Sequence, residues 1–175
     1  RNNGSLLYTG DFKLQPSRTS ERFRFVQADV LIMETTFGTP KYIHPPRDQV
    51  EARLVETCSN LLRRGRIPVI FAYALGKAQE ALKILADAGL RVAVDYNILK
   101  FIPVYQQNGI DFGVFEKFKR SLYRGRVLLL PPSFRFLKYI RSLPSKYTIF
   151  LSGWVGARNA QNRFGVDEVI PLSYH

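Results

Sequence analysis

Short apolar runs alternate with stretches of helical periodicity along most of this chain of 175 residues. The clearest pair is an apolar run at 67–73 and a helix that begins at Gly76, buries a face of Ala and Leu, and stops at Gly89. A helix beginning near Arg47 or Asp48 and stopping at Gly65 is predicted ahead of this pair. Because parallel strands need long crossover connections, this alternation predicts an α/β fold with a mostly parallel sheet and helices on both faces.

The same periodicities, together with the positions of glycine and proline, predict the remaining strands and helices. The predicted strands are 5–9, 29–33, 90–94, 127–130, 147–151 and a run from residue 169 onward. The further predicted helices are 97–107, 112–122 and a weak one at 134–142. Segments 39–46 and 152–166 are predicted to lack regular structure. We expect 30–33 and 69–72 to be central strands of the sheet.

Three strand-like runs end in residues that can do chemistry. Asp11 and Glu34 each follow an apolar run, and His175 ends the last one. Since ligands gather at the carboxyl ends of strands in α/β sheets, we expect the three residues at one edge. A neighbouring Glu and His can form a proton-donating pair, because the carboxylate raises the pKa of the imidazole. The alternatives are a turn hydrogen bond for Asp11 and a structural salt bridge for Glu34.

The turn at Gly76 and Lys77 joins a strand to a helix N-terminus. Unpaired backbone N–H groups at such a position, with a lysine beside them, suit a phosphate. The spacing is not that of the Walker motif, so nucleotide binding is not indicated. An ordinary strand-to-helix connection is the alternative.

The net charge of +12 is concentrated in the third quarter of the chain and beyond. The segment 117–146 contains neither Asp nor Glu, and its basic residues begin with Lys117, Lys119, Arg120 and Arg124. Such a block favours a polyanionic partner, and single-stranded nucleic acid is the expected one. Phe118 and Tyr123 are candidates for stacking on bases or for core packing. The alternative for the whole block is a solvated basic face.

Composition excludes several classes of protein. No apolar run is long enough to span a membrane, and no signal peptide is visible, so no membrane partner is expected. The single cysteine, Cys58, excludes an intrachain disulfide framework and is consistent with a cytoplasmic location. Because the sequence opens inside a globular pattern at Arg1 and ends on a strand-like run at His175, we expect it to be a fragment.

Four stretches, in this order, resemble motifs of the metallo-β-lactamase nucleases that carry a β-CASP insertion. They are Thr9-Gly10-Asp11, Glu34-Thr35-Thr36-Phe37-Gly38, the turn at 71–80, and Ser173-Tyr174-His175. The resemblance covers nearly the whole chain and looks closest to ligase-associated and mRNA 3′-end processing exonuclease-like members. It implies that 1–34 is the tail of the metallo-β-lactamase core, 35–165 the β-CASP domain and 166–175 a return strand.

The resemblance also implies a mechanism for the whole protein. Two zinc ions bridged by Asp11 would act on a phosphodiester bond of RNA or DNA, and Glu34 with His175 would position and protonate the leaving oxygen. Residues implied to bind the substrate are Thr36, Gly76, Lys77, Lys117, Lys119, Arg120 and Arg124. A DNA ligase or an RNA-processing protein is the implied partner.

Three departures from the family pattern limit these expectations. The His-x-His-x-Asp-His metal motif, the next zinc histidine and the final histidine motif are all absent. This chain alone is therefore expected to be inactive and to hold no complete zinc site. A non-catalytic nucleic-acid-binding module that uses the basic segment 117–146 is the main alternative. A metallo-hydrolase of small acidic substrates is a third interpretation, but it leaves the basic segment unexplained.

Overall fold

The computed structural model describes residues 4–156 and 159–172, and it confirms the α/β class. Two short strands, β1 (Leu6–Tyr8) and β2 (Val30–Ile32), form a separate parallel pair. The other strands are β3 (Ile67–Phe71), β4 (Val92–Val94), β5 (Glu116–Lys117), β6 (Val127–Leu130), β7 (Lys146–Leu151) and β8 (Glu168–Ile170). They build one sheet in the order β5-β4-β6-β3-β7-β8, in which every neighbouring pair is parallel.

Helices cover both faces of the six-stranded sheet, as predicted. The helices on one face are α1 (Arg47–Arg63), α2 (Lys77–Asp87), α3 (Tyr96–Leu99) and α4 (Ile102–Gln107), which share one core cluster with the sheet. The other face carries the shorter helices α5 (Lys138–Arg141) and α6 (Ala160–Phe164), around a second core cluster. The sheet is therefore a layer between two apolar cores.

Strand β3 lies in the centre of the sheet, which confirms the prediction for 69–72. All five of its residues are buried, with Ile70 in the first core cluster and Val69 and Phe71 in the second. Its unbroken apolar sequence is typical of a parallel strand covered on both faces. Each such side chain contributes roughly 1.5–3 kcal/mol on burial.

The prediction of a central, buried strand at 30–33 is wrong. The strand forms, but it pairs with β1 in the two-stranded sheet, and Val30, Leu31 and Ile32 are 52%, 55% and 48% exposed. An apolar run indicates a strand that can be buried, but not the layer that covers it. The described residues place no such layer over β2.

The prediction of a helix at 112–122 is also wrong. Gly113 donates its N–H to the side chain of Asp111 in a turn (2.8 Å), and Glu116 pairs with Ala93 of β4. Phe118 then donates its N–H to the carbonyl of Val94 (2.8 Å). Pairing with the exposed edge of β4 therefore replaces intrahelical hydrogen bonds in this segment.

Smaller differences concern three other segments. The predicted helix 97–107 is split into α3 and α4, because Pro103 has no N–H to continue the helix from Leu99. The weak helix 134–142 is a 3-10 turn followed by α5. The segment 152–166 contains a 3-10 turn and α6 rather than loop alone, and the connector 39–46 contains a short 3-10 turn.

Candidate functional site

The pairing of β1 with β2 brings Asp11 and Glu34 to the same edge of the two-stranded sheet. Leu6 pairs with Val30 and Tyr8 with Ile32 in parallel, and Thr9 donates its N–H to the carbonyl of Ile32 (3.0 Å). Asp11 and Glu34 both leave from the carboxyl ends of these strands, as the sequence predicts. His175 lies outside the described residues, so its approach to Glu34 stays a prediction.

The motif that begins at Glu34 is a closed turn. The carboxylate of Glu34 accepts the N–H of Thr36 (2.8 Å), and Gly38 donates its N–H to the carbonyl of Thr35 (3.0 Å). A Cβ atom on Gly38 would come within 3.2 Å of that carbonyl oxygen, so a larger residue would require the turn to shift by a few tenths of an ångström. The turn therefore holds one oxygen of Glu34 against the backbone and fixes the direction of its side chain.

A cleft of about 400 Å³ lies between this turn and the segment that follows Asp11. Its walls include Phe12 and Lys13 on one side and Glu34, Phe37 and His44 on the other. The cleft combines a carboxylate, an ammonium group and aromatic rings. It is therefore a concave surface that Glu34 lines directly and that begins at the residue after Asp11.

An aromatic cluster supports the wall of this cleft. The ring of Phe37 lies 5.2 Å from Tyr42, 5.4 Å from His44 and 5.3 Å from Trp154, measured between centroids. Trp154 follows β7, so the cluster connects the Glu34 turn to the carboxyl end of the large sheet. Edge-to-face contacts of this kind add about 0.5–1.5 kcal/mol each beyond burial.

His44 belongs to this cluster, which its position in the Pro-rich connector 39–46 does not predict. It is half-buried, and desolvation lowers its pKa, so the neutral imidazole is favoured. Tyr42 and His44 are two residues apart in a stretch that ends a 3-10 turn, and their rings stack with centroids 6.5 Å apart. This spacing between aromatic residues is the signal from which the packing could have been found.

The turn at Gly76 has the strand–turn–helix geometry that the sequence predicts, but two of its N–H groups are already used. Lys77 donates its N–H to the carbonyl of Leu75 (3.2 Å), and Ala78 donates to that of Tyr73 (3.3 Å). Gly76 has a φ of +81° and a ψ of −81°, a conformation that residues with a side chain rarely adopt. Phosphate binding at Gly76 and Lys77 stays a prediction, which relies more on the lysine side chain than on these two amides.

The side chain of Lys77 is only partly exposed and lies 5.7 Å from the ring centroid of Tyr73. Burial lowers its pKa, repulsion from Lys13 lowers it further, and Glu80 opposes both effects. The protonated form of Lys77 is therefore less favoured than that of a lysine in water. An added anion would offset the repulsion between the two ammonium groups.

Glu80 is the residue that sequence reasoning missed. Its side chain is 1% exposed. The carboxylate accepts hydrogen bonds from Ser17 (2.6 Å) and from Arg47, and it forms an ion pair with Lys13 (3.4 Å). Burial, the largest influence, raises its pKa, but Ser17, Lys13 and Arg47 together outweigh it, and the net pKa is lowered. The apolar periodicity of α2 does not predict this burial, because Glu80 lies on the side of the helix opposite to the apolar stripe that begins at Ala78. The N-terminal segment and α1 cover that side and supply the partners that a buried carboxylate requires.

This carboxylate joins three parts of the chain. The N-terminal segment contributes Lys13 and Ser17, α1 contributes Arg47, and α2 contributes Glu80 itself. Arg18 extends the network by pairing with Glu51 (2.8 Å) and Asp87 (2.8 Å). The network therefore fastens the segment that follows Asp11 to the first core of the large sheet.

The predicted substrate-binding cations lie on the edge strand β5 and in the turns after it. Lys117, Lys119, Arg120 and Arg124 are all exposed, as contact with a polyanion requires. Three of them lie over aromatic rings: Lys117 over Tyr96 at 5.3 Å, Arg120 over Tyr139 at 5.5 Å and Arg124 over Tyr123 at 6.0 Å. Phe118 and Tyr123 themselves pack against the second core cluster.

The described residues do not fit a complete zinc site. Within 4–156 and 159–172, no three His, Cys, Asp or Glu side chains come together in a way that could hold a metal ion. Asp11 is an exposed carboxylate at a strand end, which is suitable as one ligand but not as a site. In the same ranges, no helix has the length and apolar character needed to cross a membrane.

Comparison with known proteins gives several relatives, although no protein-family model matches the chain. The chain is 39% identical to a probable DNA ligase of Opitutus terrae over 172 residues, which are 98% of this chain and 17% of that protein. It is 33% identical to the transcription termination factor FttA of Pyrococcus abyssi over 120 residues, 67% of this chain and 18% of that protein.

A third relative is the probable RNase MJ4 of Methanocaldococcus jannaschii. The identity is 38% over 91 residues, which are 50% of this chain and 21% of that protein. The chain therefore spans about a fifth or less of the length of each of these relatives. Together they confirm the resemblance drawn from the four ordered motifs.

Proposed function

Since the chain belongs with the metallo-β-lactamase nucleases that carry a β-CASP insertion, we propose that it forms part of a nuclease that hydrolyses phosphodiester bonds in RNA or DNA. The observation that carries the proposal is the parallel pairing of β1 with β2, which directs Asp11 and Glu34 to one edge. Relatives named RNase and transcription termination factor favour RNA processing, whereas the relative named DNA ligase keeps DNA as a possible substrate.

The proposed roles follow from the chemistry of each side chain. Asp11 would supply one ligand to a pair of zinc ions, whose other ligands would come from outside the described residues. Glu34, held by the N–H of Thr36, would position His175 so that the imidazolium protonates the leaving oxygen. Thr36 and Lys77 would contact the substrate phosphates, and Lys117, Lys119, Arg120 and Arg124 would hold a single strand.

The proposal includes exonuclease-like cleavage and the division of the chain at 34/35 and 165/166. The exposed apolar residues of β2 support that division, because a further layer packed against them would be the core to which 1–34 belongs. The name of the Opitutus relative is consistent with a DNA ligase as a functional partner. The 175-residue chain alone is expected to show no hydrolysis.

The test is cleavage of end-labelled single-stranded RNA and DNA by the whole protein and by its Asp11→Ala variant. Loss of cleavage with retained strand binding is expected, because Asp11 acts on the reaction and not on the strand. Glu21→Gln, an exposed acidic residue in the same N-terminal segment, is the matched control and should cleave normally. Unchanged turnover in Asp11→Ala would remove Asp11 from the site.

A non-catalytic nucleic-acid-binding module remains the second candidate. The observation that favours it is the exposure of all four basic residues from Lys117 to Arg124, beside the aromatic rings of Tyr96, Tyr123 and Tyr139. Such a module would bind a strand without using Asp11 or Glu34. Strand binding with no cleavage by the whole protein would decide in its favour.

A further inference from the structure

A second cleft, of about 560 Å³, opens on the face of the large sheet that carries α5 and α6. Phe71 and Ile140 line its apolar side, and none of its lining residues lines the cleft beside Glu34. Its polar lining residues are Arg135, Arg141, Lys146, Thr148, Gln161, Asn162 and Asp167. The volume lies within the usual range for small-molecule sites, roughly 300–1,000 Å³.

The basic residues of this cleft are not neutralised by neighbouring carboxylates. Asp167 is the only acidic lining residue, and its Oδ2 accepts hydrogen bonds from the N–H (2.7 Å) and the hydroxyl (2.6 Å) of Thr148. Among residues 4–156 and 159–172, Arg135, Arg141 and Lys146 form no salt bridge. The cleft therefore has an excess of positive charge.

The opposite face of the sheet shows a different arrangement. There Arg18 pairs with Glu51 and Asp87, and Arg47 pairs with Glu51 and Glu80. These cations are neutralised by structural ion pairs, whereas those that line the cleft are not.

Arg135 is held in place before any ligand arrives. Its guanidinium carbon lies 4.6 Å from the ring centroid of Phe136 and 5.7 Å from that of Phe150, which in turn stacks on Phe164 at 4.3 Å. Its Nε is buried and has no hydrogen-bond partner in the described part of the chain. A buried N–H without an acceptor is costly, and no described residue offsets that cost.

We propose that this cleft binds the phosphate ester of a nucleotide-sized ligand. Two arginines and one lysine line it, and guanidinium groups match the oxygen geometry of a phosphate. The Lys146 ammonium also donates a hydrogen bond to the carbonyl of Arg141 (2.7 Å). The side-chain amides of Gln161 and Asn162 supply donors and acceptors for a sugar or base, beside the apolar side formed by Phe71 and Ile140. The ester belongs either to a free mononucleotide or to an internal linkage of a nucleic-acid strand.

Calorimetric titration of the chain with AMP, inorganic phosphate and an oligoadenylate without terminal phosphates tests this site. Arg135→Gln and Arg141→Gln should each weaken binding about tenfold, the usual effect of losing a charge-assisted hydrogen bond. Lys138→Gln is the matched control, because Lys138 lies exposed on α5 but does not line the cleft. It should bind like the unchanged chain.

Thermal unfolding of each variant shows whether the fold is kept. Arg135 lies near two aromatic rings, so its replacement can weaken the fold. Arg141 is exposed, so its variant is expected to keep the fold and to report on binding alone. If AMP binds and Arg141→Gln weakens its binding, the ligand is a free nucleotide. If only the oligoadenylate binds and Arg141→Gln weakens its binding, the ligand is an internal linkage of a strand. Absence of binding to any probe, or an equal loss in Lys138→Gln, would overturn the proposal.

Discussion

The hydroxyl of Ser17 donates a hydrogen bond of 2.6 Å to the buried carboxylate of Glu80 on α2. The two residues are 63 positions apart in the sequence. Their contact, with those of Lys13 and Arg47, fixes the segment after Asp11 against the large sheet. The position of one wall of the cleft beside Glu34 thus depends on a buried carboxylate that does not line the cleft itself but pairs with Lys13, which does.

Replacing Glu80 by Ala should lower the free energy of unfolding by about 3 kcal/mol, the low end of the cost of breaking a buried ion pair. The low end applies because Arg47 keeps its second partner, Glu51. Urea unfolding measures the change. Glu56→Ala is the control, since Glu56 is exposed on α1, and it should change stability by less than about 0.5 kcal/mol. Equal changes in the two variants would show that the Glu80 network is energetically neutral.

Acid should weaken the fold partly through Glu80. Folding lowers the pKa of Glu80, because Ser17, Lys13 and Arg47 outweigh the effect of burial, so the unfolded chain binds the proton more readily. The contribution of Glu80 to the free energy of unfolding is complete above the ordinary glutamate pKa of about 4.3. It is lost as the pH falls through the lower pKa that Glu80 has in the folded chain. Urea unfolding from about pH 6 to about pH 3 should therefore show a smaller loss for Glu80→Gln than for the unchanged chain. Parallel curves would contradict this.

Glu34→Gln should lower the cleavage rate of the whole protein while leaving its affinity for a single strand nearly unchanged. The amide oxygen of glutamine can still accept the N–H of Thr36, so the turn is kept, but the negative charge that would hold an imidazolium is lost. Single-turnover cleavage and filter binding measure the two effects separately. Loss of binding without a change in the rate constant would instead make Glu34 a structural support.

Changing Lys119 and Arg124 together to Ala should weaken strand binding to a similar extent for all sequences. If each contacts one phosphate, the slope of log affinity against log salt should flatten by about 0.7 per contact, or about 1.4 for the pair. The control is the pair Arg63 and Arg64, which is exposed at the end of α1 and carries the same charge. Equal flattening in the control pair would mean that only net charge matters.

Local signals in the sequence were sufficient for much of the fold. The stripe Val50, Leu54, Cys58 and Leu61 predicts α1, and the unbroken apolar run at 67–71 predicts the central strand β3. The apolar runs also predicted that Asp11 and Glu34 follow strands, and the glycine after the run at 67–73 predicted the turn into α2. Each of these features depends on periodicity, or on a backbone conformation that neighbouring residues dictate.

Tertiary contacts decided the rest. The segment 112–122 has residues that suit a helix, but the open edge of β4 supplied partners for Glu116 and Phe118, and a strand formed. The apolar run of β2 could not indicate which layer covers it, and the partners of Glu80 come from segments far away in the chain. The sequence alone determined the elements and the residues that end them. Only the folded chain decided which faces meet, because hydrogen bonds and ion pairs between distant segments depend on positions in space that periodicity does not encode.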